Sequence, residues 1–130
     1  MKKIMIGILF SVLISTLVNA QEVTKEQQEV TKEQWVSVMK TRLPAHFCQA
    51  EQYFRQCFNV VATECEEVAA STMNICLSEL NNQIPNVLIQ PKDGSLWGTK
   101  VGSCAGIAYE TSLIKKRISN DKCNNISNWQ

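Results

Sequence analysis

The sequence predicts an all-α fold, a small disulfide-stapled bundle of about four helices, and three observations carry that prediction. Apolar residues recur at helical spacing through residues 32–43, 44–58, 64–81 and 97–118. Six cysteines, Cys48, Cys57, Cys65, Cys76, Cys104 and Cys123, all follow an export signal and so are expected to be oxidised into three disulfides. The roughly 110 residues left after signal removal make one domain, long enough to bury a modest core.

Residues 1–20 read as that signal. Lys2 and Lys3 form the charged region, Ile4 to Val18 the apolar region, and Val18-Asn19-Ala20 the small residues before a cut. An apolar run of about 15 residues is too short to span a bilayer, and Gln21 rather than a cysteine follows the expected cut. The product is therefore expected in the periplasm or outside the cell, with no stable membrane anchor after cleavage. Loss of Lys2 and Lys3 leaves 11 of the 13 basic residues against 12 acidic ones, a net charge of minus 1. This balance lacks the basic footprint of a nucleic-acid binder, and Lys115-Lys116-Arg117 falls where a helix end would welcome cations.

Residues 21–27 and 28–34 both spell QEVTKEQ. Each copy offers one aliphatic residue, Val23 or Val30, too few for a coiled-coil seam, so residues 21–31 are expected to form a polar arm. Thr31 and Gln34 stand at capping-box spacing ahead of Trp35, Val38, Met39 and Leu43, which predicts a first helix over 32–43. Pro44 suits the start of a second helix. That helix, about 44–58, carries Phe47, Ala50, Phe54, Cys57 and Phe58 on one face. Thr63 and Glu66 repeat the capping spacing before a third helix over about 64–81, and Glu64, Glu66 and Glu67 suit the positive end of its dipole. The short link between 44–58 and 64–81 predicts an αα-hairpin.

Six cysteines allow 15 pairings. Folding the hairpin about residue 61 sets Cys57 against Cys65 and Cys48 against Cys76, leaving Cys104 for Cys123. Cys48 and Cys57 are about half a turn out of phase on one helix, so Cys48 reaching toward Cys104 or Cys123 is the alternative.

Residues 81–97 hold Asn81-Asn82, Pro85, Pro91 and the turn-forming Asp93-Gly94, yet are apolar for a loop. Val87, Leu88, Ile89, Leu96 and Trp97 either cap the core or form a partner-binding loop, and exposure of Leu88 and Trp97 separates the two. In the helix expected over about 97–118, Gly98, Gly102 and Gly106 recur every four residues, a pattern that predicts close packing of another backbone. The Asn- and Ser-rich tail from 120 to 130 is expected to be irregular and held by Cys123 and Trp129.

Catalytic chemistry has little to stand on. His46 is the sole histidine and adjoins an expected disulfide; no nucleophile-elbow motif and no C-x2-C pair is present, so no metal or other cofactor is expected. The function expected is a small exported, non-enzymatic binding protein with a protein partner, either a periplasmic inhibitor or immunity-type protein or a secreted effector or accessory protein. A small hydrolase using His46 with Glu51 or the Glu64–Glu67 group is the remaining enzymatic alternative.

Overall fold

The computed structural model describes residues 28–129. The signal expected over 1–20 and the first heptad copy, 21–27, lie outside those residues. Strand β1 (Glu29–Thr31) leads into helix α1 (Lys32–Phe47), a single-turn helix α2 (Tyr53–Gln56), helix α3 (Ala62–Leu80), strand β2 (Val87–Ile89), helix α4 (Lys92–Ser112) and a second single turn, α5 (Asp121–Asn124). Two 3-10 turns follow α4 and α5, at Ile114–Lys116 and Ile126–Trp129. The fold is all-α and disulfide-stapled, with one two-stranded ribbon as its only sheet among the described residues.

Helix α1 starts where the capping box places it. The Gln34 amide donates to Thr31 Oγ1 at 3.2 Å, and the Thr31 amide donates to Gln34 Oε1 at 3.1 Å. The helix does not stop before Pro44; it runs through that residue to Phe47. Proline fixes a φ that suits a helix, and in the last turn its missing N–H costs one backbone bond, while its carbonyl still accepts from the Cys48 amide at 3.1 Å. The expected helix 44–58 is thereby replaced by the end of α1, a turn, and the four residues of α2.

The hairpin is therefore formed by α1 and α3. At one end Cys48 is bonded to Cys65, and at the other the Lys32 ammonium donates to the Asn81 carbonyl at 3.3 Å, so the helices run antiparallel. Helix α3 begins at Ala62, after Val61, whose side chain forms no cap, and Thr63 lies inside its first turn, so the second capping box does not form. Helix α4 packs on the other flank of α3, also antiparallel: Cys104 is bonded to Cys76, and Lys116, just beyond α4, pairs with Glu64 in the first turn of α3. The bundle is up-down-up, with α3 central.

The pairing of cysteines is Cys48–Cys65, Cys57–Cys123 and Cys76–Cys104, and all three expected pairs are corrected. Both end contacts reflect about residue 56 or 57, not 61, because fourteen residues that are mostly not helical separate α1 from α3. That shift sets Cys48 against Cys65 and frees Cys57, at the end of α2, to hold the C-terminal segment. The same segment is also sewn down by backbone bonds: Asn59 donates to the Lys116 carbonyl and Ile118 to the Cys57 carbonyl, each at 2.8 Å.

Two apolar clusters fill the bundle. One, at the ribbon end, gathers Trp35, Met39, Met73, Leu77, Ile84, Leu88, Trp97 and Val101; the other gathers Phe58, Ala69, Tyr109 and Leu113 around the Cys48–Cys65 and Cys57–Cys123 bridges. The end of the polar arm is part of the first, since Val30 of β1 faces Leu88 of β2 in an antiparallel register. Leu88 is fully buried and Trp97 is 8% exposed, so these two cap the core and do not present a binding tip. Strand alternation leaves Val87 and Ile89 outward, and Leu96 projects from α4, which opens at Lys92. Asp93-Gly94 is consequently part of the first helical turn, where the Asp93 carboxylate accepts the Ile89 amide at 2.8 Å.

The glycine stripe makes no close backbone approach. The buried face of α4 is Trp97, Val101, Ala105 and Tyr109, one residue out of step with Gly98, Gly102 and Gly106. A Cβ at Gly98 or Gly102 would meet nothing within 4 Å, and at Gly106 only the rim of Phe54, at 3.6 Å. Gly98→Ala and Gly102→Ala are each expected to raise the unfolding free energy by about 0.5–1 kcal/mol, read from the urea midpoint, because helix propensity is gained without a clash. A loss of stability in either variant would contradict this geometry. The tail is more ordered than its composition predicts: Asn120 caps α5 by accepting the Cys123 amide at 2.7 Å, and the Trp129 indole donates to the Lys122 carbonyl at 3.1 Å.

Candidate functional site

The turn that interrupts the expected second helix also builds a recess lined by aromatic side chains. Phe47 ends α1, Tyr53 and Phe54 open α2, and the segment between them is too short to carry these rings apart. Phe47 and Phe54 meet edge to face at 5.8 Å between centroids, and Tyr53 lies 5.5 Å from Phe54. Behind them Phe54 packs on Tyr109 at 4.2 Å, and Tyr109 on Phe58 at 5.3 Å. Apart from the closer Phe54–Tyr109 contact, these ring pairs sit in the range where quadrupoles attract beyond simple burial.

The opposite wall comes from the C-terminal turn. Trp129 stands 5.5 Å from Tyr53, held by its indole hydrogen bond to Lys122 and by the Lys122 ammonium 4.6 Å above its ring. Its position depends on the Cys57–Cys123 bridge and on Arg117, which donates to the Asn124 side chain at 3.1 Å and the Cys123 carbonyl at 3.2 Å. Between the two walls α4 offers Ser103, Gly106, Ile107 and Glu110 as a floor, and Gly106 leaves the space above Phe54 open. The cleft has a volume of about 490 Å³ and is mainly apolar. Its rim carries Ile107 and Ile126, 69% and 77% exposed.

Polar groups in the cleft are few and placed. Burial raises the Tyr53 hydroxyl above its ordinary pKa of 10.0, and hydrogen bonding to the Glu110 carboxylate adds to the rise while Arg117 opposes it. Tyr53 thus keeps its proton at neutral pH, with the Glu110 carboxylate beside it. Tyr109, at the back, donates to the Phe54 carbonyl at 3.2 Å. Its pKa is pushed up to about 12 by burial first and by Glu64 second, against the pull of Arg55.

The residues singled out from sequence are dispersed. Val87, Ile89 and Leu96 are exposed at the ribbon end, beside a second, more polar hollow of about 680 Å³ whose walls include Glu29, Gln34, Trp35 and Gln90. None of Val87, Leu88, Ile89, Leu96 and Trp97 lines the aromatic cleft. His46 is exposed at the last turn of α1, Glu51, Glu66 and Glu67 are exposed, and Glu64 is paired with Lys116. Cys76, Glu79 and Cys104 come within ligand distance of one another, but both sulfurs are spent in a disulfide, so a lone carboxylate remains and the trio does not suit a metal ion. The cleft residues were missed because Phe47 and Phe54 read as core. The available signal was density: four of the nine aromatic residues, Phe47, Tyr53, Phe54 and Phe58, fall within twelve positions, more than one short buried face takes up.

Fold and cleft together define a disulfide-stapled helical module with a recess of aromatic side chains. Residues 29–117 match the family described as T2SS substrate NttA, and the chain belongs to that family. Membership implies export out of the cytoplasm, in accord with the six paired cysteines. No helix among the described residues is long and apolar enough to cross a membrane. Neither the curated proteins nor the solved structures include a match to the chain. The family match spans β1 to the turn that follows α4, and so holds every lining residue of the cleft except Ile126 and Trp129, which lie beyond it.

Proposed function

We propose that the protein acts after export as a non-catalytic binding protein that engages a protein partner through the aromatic cleft. The observation that carries this reading is the cleft itself: half-exposed Phe47, Tyr53, Phe54 and Trp129 held in place by two disulfides and a hydrogen-bonded tail, with Ile107 and Ile126 bare at its rim. Rigid aromatic anchors surrounded by exposed aliphatic side chains are the makings of an interface hot spot, because little side-chain entropy is lost when they are covered. A role as a secreted effector or accessory protein is supported over a periplasmic inhibitor by the description of the family as a secretion substrate. The exposure of His46, the pairing of Glu64 and the bonding of every cysteine support a role without catalysis.

Ile107→Asp tests this directly, since its side chain is exposed and the change leaves the core intact. Partner capture by the purified mature chain, from envelope and host-cell extracts, is expected to fall at least about tenfold in the variant, the cost of an unpaired charge at an apolar contact. Undiminished capture of every partner by a folded Ile107→Asp protein refutes the cleft as the binding surface.

A further inference from the structure

We infer that the cleft receives an arginine side chain of its partner, flanked by apolar residues, with Glu110 as its counter-ion. This rests on the cleft being the binding surface. Glu110 is the one charged residue in the lining, and it stands half-buried on α4 between the Tyr53 hydroxyl and the exposed Ile107. Among the described residues it takes part in no ion pair. Of the cations nearby, Arg117 is bound to Asn124 and the Cys123 carbonyl and reaches the Tyr53 hydroxyl without forming an ion pair with Glu110, and Lys122 is bound to Gln56. A carboxylate offers about four acceptor positions, so Glu110 can take a two-pronged guanidinium even with the Tyr53 hydroxyl beside it.

The walls favour the same occupant. Guanidinium is planar, weakly hydrated and stacks on aromatic faces, and Tyr53 and Trp129 meet at 68° to line the space above Glu110 with rings. Trp129 already lies under one ammonium, that of Lys122, so a cation is stable against this ring in the free protein. An anionic ligand would face the Glu110 carboxylate with no cation in the lining, and a neutral apolar one would cover that carboxylate without bringing it a counter-ion. Ile107 and Ile126 then set the flanks, selecting aliphatic neighbours for the arginine.

The test uses the isotopically labelled mature protein, titrated with acetyl-Leu-Arg-Leu-amide and with its twin carrying citrulline, which keeps the shape of arginine and removes the charge. Shifts of the Gly106 amide and the Trp129 indole report occupancy. The arginine peptide is expected to bind about fivefold or more tightly than the citrulline peptide. In Glu110→Gln, which keeps an acceptor for Tyr53, the two affinities converge to within about twofold. If both peptides shift Gly106 and Trp129 with equal affinity in the unaltered protein, the arginine inference fails and the cleft stands. If the preference survives Glu110→Gln, Glu110 is not the counter-ion and the inference fails. If neither peptide moves those signals, inference and cleft fall together.

Discussion

Joint replacement of Cys57 and Cys123 by Ala is expected to lower the unfolding free energy by about 4 kcal/mol, the most of the three bridges. The reason is the length of chain it closes. This bridge spans 66 residues, against 17 for Cys48–Cys65 and 28 for Cys76–Cys104, and the entropy removed from the unfolded chain grows with the logarithm of that length. The corresponding losses are about 3 kcal/mol for the 17-residue loop and between the two for the 28-residue loop. Urea unfolding of the three double variants gives the ranking, and peptide mapping without reduction identifies a Cys57–Cys123 linked fragment. A larger loss from the Cys48–Cys65 pair would reverse the argument, and a Cys104–Cys123 fragment would remove its premise.

The same bridge couples stability to the proposed site. Cys123 lies in α5, and α5 carries the 3-10 turn that sets Trp129 against Tyr53. Without the bridge that turn keeps the Arg117 and Asn120 hydrogen bonds, each worth roughly 1 kcal/mol net, and loses its covalent anchor. The cleft wall therefore loosens before the bundle unfolds, and tryptophan fluorescence of Trp129 changes at lower urea than helical circular dichroism.

Legibility of the chain followed the range of the forces involved. The start of α1 was readable because a capping box is local, four residues bonding to themselves, and Thr31 with Gln34 form it as their spacing predicts. The heart of α3 and the all-α class were readable from periodicity, which is also local. Pro44 was misread because the cost of a missing N–H depends on where the helix ends, and that end is set by Cys48 meeting Cys65 far along the chain. Once α1 is extended by one turn, the hairpin axis moves by about one helical turn and every cysteine pairing changes with it. The cleft was hidden for a related reason. Phe47 and Phe54 do pack, but against each other across a turn, leaving faces open that a continuous helix would have buried. Trp129 enters from the far end of the chain, a placement that no local pattern encodes.

Stability is expected to fall by roughly 2–3 kcal/mol between about pH 10 and pH 12, and Tyr109 is the cause. The side chain is 1% exposed, and its phenol is raised to about 12 in the folded protein by burial and by Glu64. Below pH 10 folded and unfolded chains both hold the proton, so the full stability is present. Between 10 and 12 the unfolded chain releases it while the folded chain keeps it, which draws the equilibrium toward unfolding; above 12 both have lost it and the decline ends. Tyr109→Phe has no phenol to titrate, and it gives up the bond to the Phe54 carbonyl, worth about 1 kcal/mol at neutral pH. The two urea-stability profiles should therefore cross: the variant is weaker at pH 7 and stronger above about pH 11. Tyr53 titrates in both proteins and cancels from their difference. Parallel profiles would show that Tyr109 ionises as freely in the folded chain as in the unfolded one, and that the ring stack behind the cleft is open to water.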